Sequence, residues 1–293
     1  MTLPSVEDIE LSADHLDPAR AAEIFNTHGC LVVRGLMRPY VSAVSRDIEA
    51  TYQQSVALLG QAQEIPEGWI TPNGALFLTA PANFARNKQI MTLPISYQTS
   101  AAFLQSAIDT KALNIVEAIL GLNVELFDNG QSLYKEPVGG HPKNLHQDSA
   151  YFEHRYAGPV ALLNYAVDTN LVNGALYVVP GSHKFGTLTH IDTFSHLGLD
   201  EAEWPWEKAL PITGQAGDTI FFHYRTIHGS QENHSDKPRP VFIHRYRRPD
   251  DYVTVSASTT ANRAEAEKQA ATARKNQQKG FMVRGFREYA PED

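Results

Sequence analysis

A mainly β protein, a sandwich or barrel with helical segments before and after it, is what this chain predicts, on three observations. Short apolar runs recur between turn residues at Val124–Phe127, Gln131–Tyr134, Val160–Val167, Ala175–Val179, Thr219–His223 and Val241–Tyr246, the spacing of antiparallel strands rather than of βαβ units. Ahead of them the apolar residues step by three and four, the period of a helix face. The composition, 42% hydrophobic and 20% charged over 293 residues, is that of a globule with a sizeable core, and the length fits one large β domain with helical additions.

Taken in order, Pro18 to His28 reads as a helix that stops at Gly29, with Asp17 as N-cap and Pro18 opening the first turn. Leu31-Val32-Val33 is a short strand. A longer helix carries Val41, Val44, Ile48, Tyr52 and Val56 on one side, and Pro and Gly in the segment from Glu64 to Phe84 end that region in a long loop. Ser100 to Leu120 is expected to be a single helix with Phe103, Leu104, Ile108, Ile115, Val116 and Ile119 on its apolar side. The strands follow, interrupted by a long stretch between Pro180 and Gly217 that contains Trp204-Pro205-Trp206. Thr259 to Gln278, rich in Ala, Glu, Lys and Gln, reads as a solvated helix. The resulting plan is a single domain over 1–293: a helical part at 1–123, a β core at 124–250 and a C-terminal helical extension at 251–293.

The net charge of −8 argues against a nucleic-acid surface, which needs clustered Lys and Arg. One cysteine, Cys30, leaves no internal disulfide framework and opens an apolar strand, the place of a buried structural thiol. No apolar run reaches the roughly 18 residues of a membrane helix, and the first residues lack the pattern of a signal peptide. A cytoplasmic protein is expected, monomer or homodimer, with a small-molecule partner and neither nucleic acid nor membrane.

Chemistry concentrates in His146-Gln147-Asp148, His228 and Arg239. The chain has twelve His and four His-x-Asp triplets, so context must select among them. His15-Leu16-Asp17 precedes a helix start, His190-Ile191-Asp192 sits in a loop-like stretch, and His234-Ser235-Asp236 lies in a polar turn. Only His146-Gln147-Asp148 stands between a Gly-Gly turn and the aromatic pair Tyr151 and Phe152. A step of two on a strand or at its end points His146 and Asp148 to one face. With His228 from another strand they form two imidazoles and one carboxylate, the facial set that holds Fe(II) and leaves positions open. Arg239 opens an apolar strand, where an inward charge needs a partner, and a guanidinium fork matches a carboxylate such as the distal one of 2-oxoglutarate. Ser230, two residues past His228, is placed to donate to the same carboxylate. A hydrolase triad from Ser182, Asp218 and His223 lacks the G-x-S-x-G elbow that would support it.

Lys135-Glu136-Pro137, His146-Gln147-Asp148, Asn173-Gly174-Ala175-Leu176-Tyr177-Val178-Val179-Pro180-Gly181-Ser182-His183, Gly217-Asp218, His228-Gly229-Ser230, Asn233, Ser235 and Arg239 together resemble the phytanoyl-CoA dioxygenase (PhyH-like) family. The resemblance covers roughly residues 125 to 247, with a weaker match at Gly29 to Leu36. It implies a double-stranded β-helix (jelly roll, cupin-like) core, and Fe(II), 2-oxoglutarate and O2, with ascorbate as an aid in vitro. It does not imply phytanoyl-CoA as substrate. By the same resemblance Gln131, Asn164 and Lys135 are candidates to face the co-substrate, against a plain structural role for each. Tyr151 and Phe152 either line a substrate pocket or fill the core. Related halogenases have a small residue where this chain has Asp148, so hydroxylation or another C–H oxidation is expected. The alternative is a jelly-roll protein that binds a metal or small molecule without oxidation, or an isomerase. The segments Glu64–Phe84 and Phe185–Leu210 are expected to form a mobile lid.

Overall fold

The computed structural model describes residues 4–59, 61, 63–65, 68–70, 76–79, 89–193, 196–254 and 279–288. Two antiparallel sheets face each other. In the larger one Glu10–Ser12 leads to Cys30–Arg34, then Thr219–His223, Val160–Tyr165, Arg239–Arg247, Gln131–Lys135, Ile90–Leu93 and Leu76–Thr79 in spatial order. The smaller sheet runs Leu210–Ile212, Leu176–Val178, His228–Ser230, Lys143–His146. Chain neighbours are thus dealt alternately to the two sheets, the interleaved order of a jelly roll, and the mainly β expectation holds. Apart from the Glu10–Ser12 strand, which pairs parallel with Cys30–Arg34, the ladders are antiparallel.

The sequence signals act locally where they were expected. Asp17 caps the helix Pro18–His28, accepting from the Ala19 amide at 3.0 Å, and Gly29 ends it at φ 70°, a conformation that costs glycine little. In the helix Arg38–Leu59, Val44 and Ile48 are buried and Tyr52 packs partly buried on the core, but Val56 is 47% exposed, so the apolar stripe ends before the last turn.

Three expectations are corrected. Ser100 to Leu120 is two helices, Ala101–Ala107 and Thr110–Leu120, because the Asp109 carboxylate accepts from the Ala112 amide at 2.9 Å and starts a new helix; Ile108, at the break, is 47% exposed. The Glu64–Phe84 segment is not a plain loop, since Gln63–Ile65, Gly68–Ile70 and Leu76–Thr79 extend the larger sheet. The part at 1–123 is therefore not purely helical. The expected helix Thr259–Gln278 lies outside the described residues, and beyond it Phe281–Arg284 is a strand paired with Val124–Leu126 rather than a helix.

One continuous core joins the helices to the larger sheet through fully buried Phe103, Phe221, Phe242, Val32 and Ile48. A second cluster, Leu145, Val179, Leu199, Ala209 and Ile227, backs the smaller sheet and is covered by Trp204 and Trp206. No helix among the described residues is long and apolar enough to cross a membrane.

Candidate metal centre and cavity

His146 ends the strand Lys143–His146 and His228 begins the strand His228–Ser230, and the two are register partners. Between their backbones Gly229 permits a close approach, for a Cβ there would stand 2.8 Å from the Lys143 carbonyl oxygen. After extended Gln147 the chain turns into the 3-10 turn Asp148–Ala150, which swings the Asp148 carboxylate back beneath both imidazoles. Nε2 of His146 and Nε2 of His228 each lie 3.8 Å from Asp148 Oδ1, and one donor atom from each of the three residues falls within 4.8 Å of the others. All three side chains are buried.

The protonation of this group follows from its hydrogen bonds. Nδ1 of His146 is 2.8 Å from the Asn144 carbonyl and Nδ1 of His228 is 2.9 Å from the Thr226 carbonyl. A carbonyl only accepts, so both Nδ1 atoms carry the proton and both Nε2 atoms present lone pairs. Burial, with His228 nearby, holds His146 well below the ordinary histidine range; burial lowers His228 too, against the opposing pull of Asp148. Neutral imidazoles with bare Nε2 atoms facing a carboxylate are a ligand set for a divalent cation. Asp148 Oδ2 is buried and accepts no hydrogen bond among the described residues; 3.6 Å away is the Nε of Arg245.

Gln147, between the two ligands, points the other way. Its side-chain amide donates to the carbonyls of Gly186 (2.9 Å) and Arg225 (2.7 Å) and accepts from the Leu188 amide (2.7 Å), while its backbone N–H donates to His190 Nε2 at 2.9 Å. The His190 triplet is thus a fastening for the site, not a second one. Other motif residues are stitches as well. Asn233 Nδ2 donates to the Lys135, Glu136 and Lys237 carbonyls, its Oδ1 accepts from Ser235, and Ser182 Oγ accepts from the Ile227 amide just before His228.

Between the sheets lies a cavity of about 520 Å³, walled by His146, Asp148, His228 and Ser230 on one side and by Gln131, Arg239 and Arg245 on the other. Arg239, the first residue of its strand, is 2% exposed, and its guanidinium lies 5.5 Å from the centre of the Tyr165 ring. Its Nε and Nη2 have no hydrogen-bond partner among the described residues. An orphaned buried guanidinium costs several kcal/mol, on the order of 3–5, unless an anion meets it. Ser230 is buried in the opposite wall, and Gln131 accepts from Arg245 Nη2 at 3.3 Å.

Two sequence-derived candidates are not in the cavity wall. Asn164 is fully buried and its amide is consumed, donating to the Leu162 and Phe242 carbonyls at 3.1 and 2.9 Å and accepting from Thr219 Oγ1 at 2.8 Å. Lys135 is Arg239's register partner, but its ammonium donates to the His141 carbonyl at 2.6 Å. For both, the structural reading is the one the hydrogen bonds support. Tyr151 and Phe152 do line the cavity, as do Asp128, Lys143, His196 and Arg245, which the sequence reading passed over. Arg245 had a signal: an even step of six from Arg239 along one strand puts both on the same face. His196 and Lys143 had none, because a loop and a neighbouring sheet bring them in. In the Phe185–Leu210 stretch, Trp206 packs edge-on against Tyr177 with ring centres 5.1 Å apart, and Trp204 lies 6.0 Å from Phe185; His196 is its contribution to the cavity wall.

Comparison with known proteins agrees with this geometry. The family model for phytanoyl-CoA dioxygenase (PhyH) matches residues 25–241. A probable alpha-ketoglutarate-dependent hypophosphite dioxygenase of Stutzerimonas stutzeri is 33% identical over 148 residues, 48% of this chain and 51% of that protein. Phytanoyl-CoA dioxygenase domain-containing protein 1 of Mus musculus is 30% identical over 132 residues, 42% of this chain and 45% of that protein. The chain thus spans about half the length of the curated relatives it matches. Among solved structures, EctD from S. alaskensis with 2-oxoglutarate and 5-hydroxyectoine superposes with a TM-score of 0.59 at 19% identity, covering 88% of this chain and 85% of that one. The epimerase SnoN in complex with Fe3+, alpha ketoglutarate and nogalamycin RO gives 0.56 at 20% identity, covering 82% and 88%. At such identity the likeness shows the fold, a double-stranded β-helix.

Proposed function

Because the chain belongs to the phytanoyl-CoA dioxygenase family, we propose that it is an Fe(II)- and 2-oxoglutarate-dependent dioxygenase that oxidises a C–H bond of a small molecule. The observation that carries this reading is the pairing of two unmet needs in one cavity. Three buried donor atoms lie within 4.8 Å of one another, and across the cavity the Nε and Nη2 of the buried Arg239 meet no acceptor among the described residues. A ferrous ion and a dicarboxylate satisfy both, which neither a surface histidine cluster nor a structural arginine would require.

His146, Asp148 and His228 would hold the iron, and Arg239 with Ser230 the distal carboxylate of 2-oxoglutarate. When bound, iron and 2-oxoglutarate supply the oxidising power, with O2 consumed and 2-oxoglutarate converted to succinate and CO2. The protein's own part is geometric and electrostatic. The Asn144 and Thr226 carbonyls lock both imidazoles in the Nδ1–H form, so each Nε2 stays a ligand without having to lose a proton. Arg245 faces Asp148 Oδ2 from the opposite wall and favours one carboxylate orientation. Leu133, Leu163, Leu176, Phe222 and Ile243 give the cavity an apolar lining, which strengthens charge pairing at Arg239 and limits water around the reacting centre.

Purified protein with Fe(II), ascorbate and 2-oxoglutarate should form succinate and CO2, slowly without prime substrate and faster with it. Alanine at His146, Asp148 or His228 should abolish this in a protein that still folds. No succinate under any condition, with stoichiometric iron bound, would leave the reading of a metal-binding jelly roll without oxidation.

A further inference from the structure

The cavity holds one positive charge more than the proposed chemistry uses. Among its lining residues the ionised groups are Asp128, Asp148, Lys143, Arg239 and Arg245. Arg245 is paired twice, with Asp128 at 3.1 Å and Asp148 at 3.6 Å. Arg239 answers to the distal carboxylate of the co-substrate. Three cations against two carboxylates leave the cavity at +1, a sum that a ferrous ion with 2-oxoglutarate does not change, and Lys143 is the cation for which neither the protein nor the co-substrate supplies a partner.

Lys143 is placed for an anion by the fold. It starts the strand that ends in His146, and its register partner is Ser230, so both side chains belong to one sheet face and both line the cavity. Its ammonium makes no hydrogen bond or ion pair with any described residue. The residue is half-buried, and desolvation draws its ammonium down to about 8. Lys135, a buried lysine close by, is spent on the His141 carbonyl. Leu93, Leu133, Tyr151 and Phe152 add an apolar and aromatic surface to the wall that suits a small carbon skeleton.

We propose that Lys143 anchors a single negative charge on the prime substrate, which makes the substrate class a small monoanion, a carboxylate or comparable oxyacid, rather than a neutral or cationic molecule. This rests on the iron and 2-oxoglutarate reading of the same cavity. It adds a charge separate from Arg239, which belongs to the facing sheet, although Ser230 beside Lys143 is assigned to the co-substrate, so the 2-oxoglutarate affinity of the Lys143 variants decides between the two ligands.

The test uses the Fe(II)-loaded protein with 2-oxoglutarate under anaerobic conditions, where the complex has a metal-to-ligand charge-transfer band. Hypophosphite, butyrate and benzoate are titrated against the neutral butyramide and benzamide. At least one anion should shift the band saturably, with its amide about tenfold weaker or worse. Lys143→Met should lose that anion response by about tenfold or more while its affinity for 2-oxoglutarate stays within about threefold; Lys143→Arg should retain both. Lys143→Gln gives the same loss of charge should the methionine variant not fold. The proposal is overturned if no anion of the panel shifts the band, if amides match their anions, or if loss of the charge weakens 2-oxoglutarate itself tenfold, which would assign the lysine to the co-substrate. A wild-type protein without the band overturns the iron and co-substrate reading, and this inference with it.

Discussion

Arg245 Nε lies 3.6 Å from Asp148 Oδ2, on the carboxylate whose other oxygen stands 3.8 Å from both histidine Nε2 atoms. One residue of the larger sheet thus stands against a candidate metal ligand in the turn that follows a strand of the smaller one. The same guanidinium reaches Asp128 and Gln131, so its own position is fixed from three sides.

Arg245→Met should therefore weaken Fe(II) binding by about ten- to a hundred-fold, the usual consequence of losing a group that orients a ligand. Arg245→Lys should recover part of it, because an ammonium keeps the charge without the fork. Anaerobic Fe(II) titration reads the effect directly; unchanged iron affinity in both variants would mean that Asp148 is positioned by its backbone turn alone.

Arg239→Leu should raise the KM for 2-oxoglutarate by about ten- to a hundred-fold or more, with a smaller effect on the prime substrate, since a charge-assisted pair in a buried site is worth about 1.5–3 kcal/mol. Arg239→Lys should fall between. Because the guanidinium is buried and unpaired by the protein, the leucine variant should also be no less stable than wild type without ligand. Steady-state kinetics and a melting curve together check both halves.

His244 sets an acid limit on the fold. Ser106 Oγ donates to the Phe103 carbonyl at 2.8 Å, so it must accept from His244 Nε2 at 2.9 Å, and Nδ1 then accepts from Tyr97 at 3.2 Å. The ring is neutral, and burial pushes it to about 3. A histidine lowered in the folded state costs nothing above its unfolded value near 6.5; below that the unfolded chain takes the proton first and stability falls. His244 alone should cost about 1 kcal/mol per pH unit between roughly pH 6 and 4. Denaturant unfolding of His244→Gln at pH 7, 6 and 5 should show a lower starting stability with a shallower decline; parallel slopes would contradict the neutral assignment.

Glu125 ties the C-terminal strand to the sheet. Fully buried, it accepts from Arg247 Nε at 2.7 Å, from the Gly280 amide at 3.1 Å and from Arg287. Glu125→Gln removes the carboxylate charge that Arg247, Arg287 and the Gly280 amide share and should destabilise the protein by about 3–5 kcal/mol. Hydrogen exchange should show Phe281–Arg284 released first; uniform loss of protection would argue against a local clamp.

Much of the local structure was legible because it is decided by neighbours in sequence: the capped helix Pro18–His28, the strand Thr219–His223, and the step of two that turns His146 and Asp148 together. The same holds for the chemical types of the ligands, since two histidines, a carboxylate and an arginine at a strand start restrict the chemistry before any fold is known. Tertiary structure decided the rest. The split at Asp109 came from a cap that outcompetes helix continuation, and the exclusion of Asn164 and Lys135 came from hydrogen-bond partners on other strands and in the turn after Pro137. Arg245 against Asp148, and Lys143 beside Ser230, join residues whose separation in sequence carries no periodic signal. Only the pairing of strands and the facing of two sheets brings such side chains within a few ångströms, and that register is fixed by the burial of the whole core rather than by any short segment.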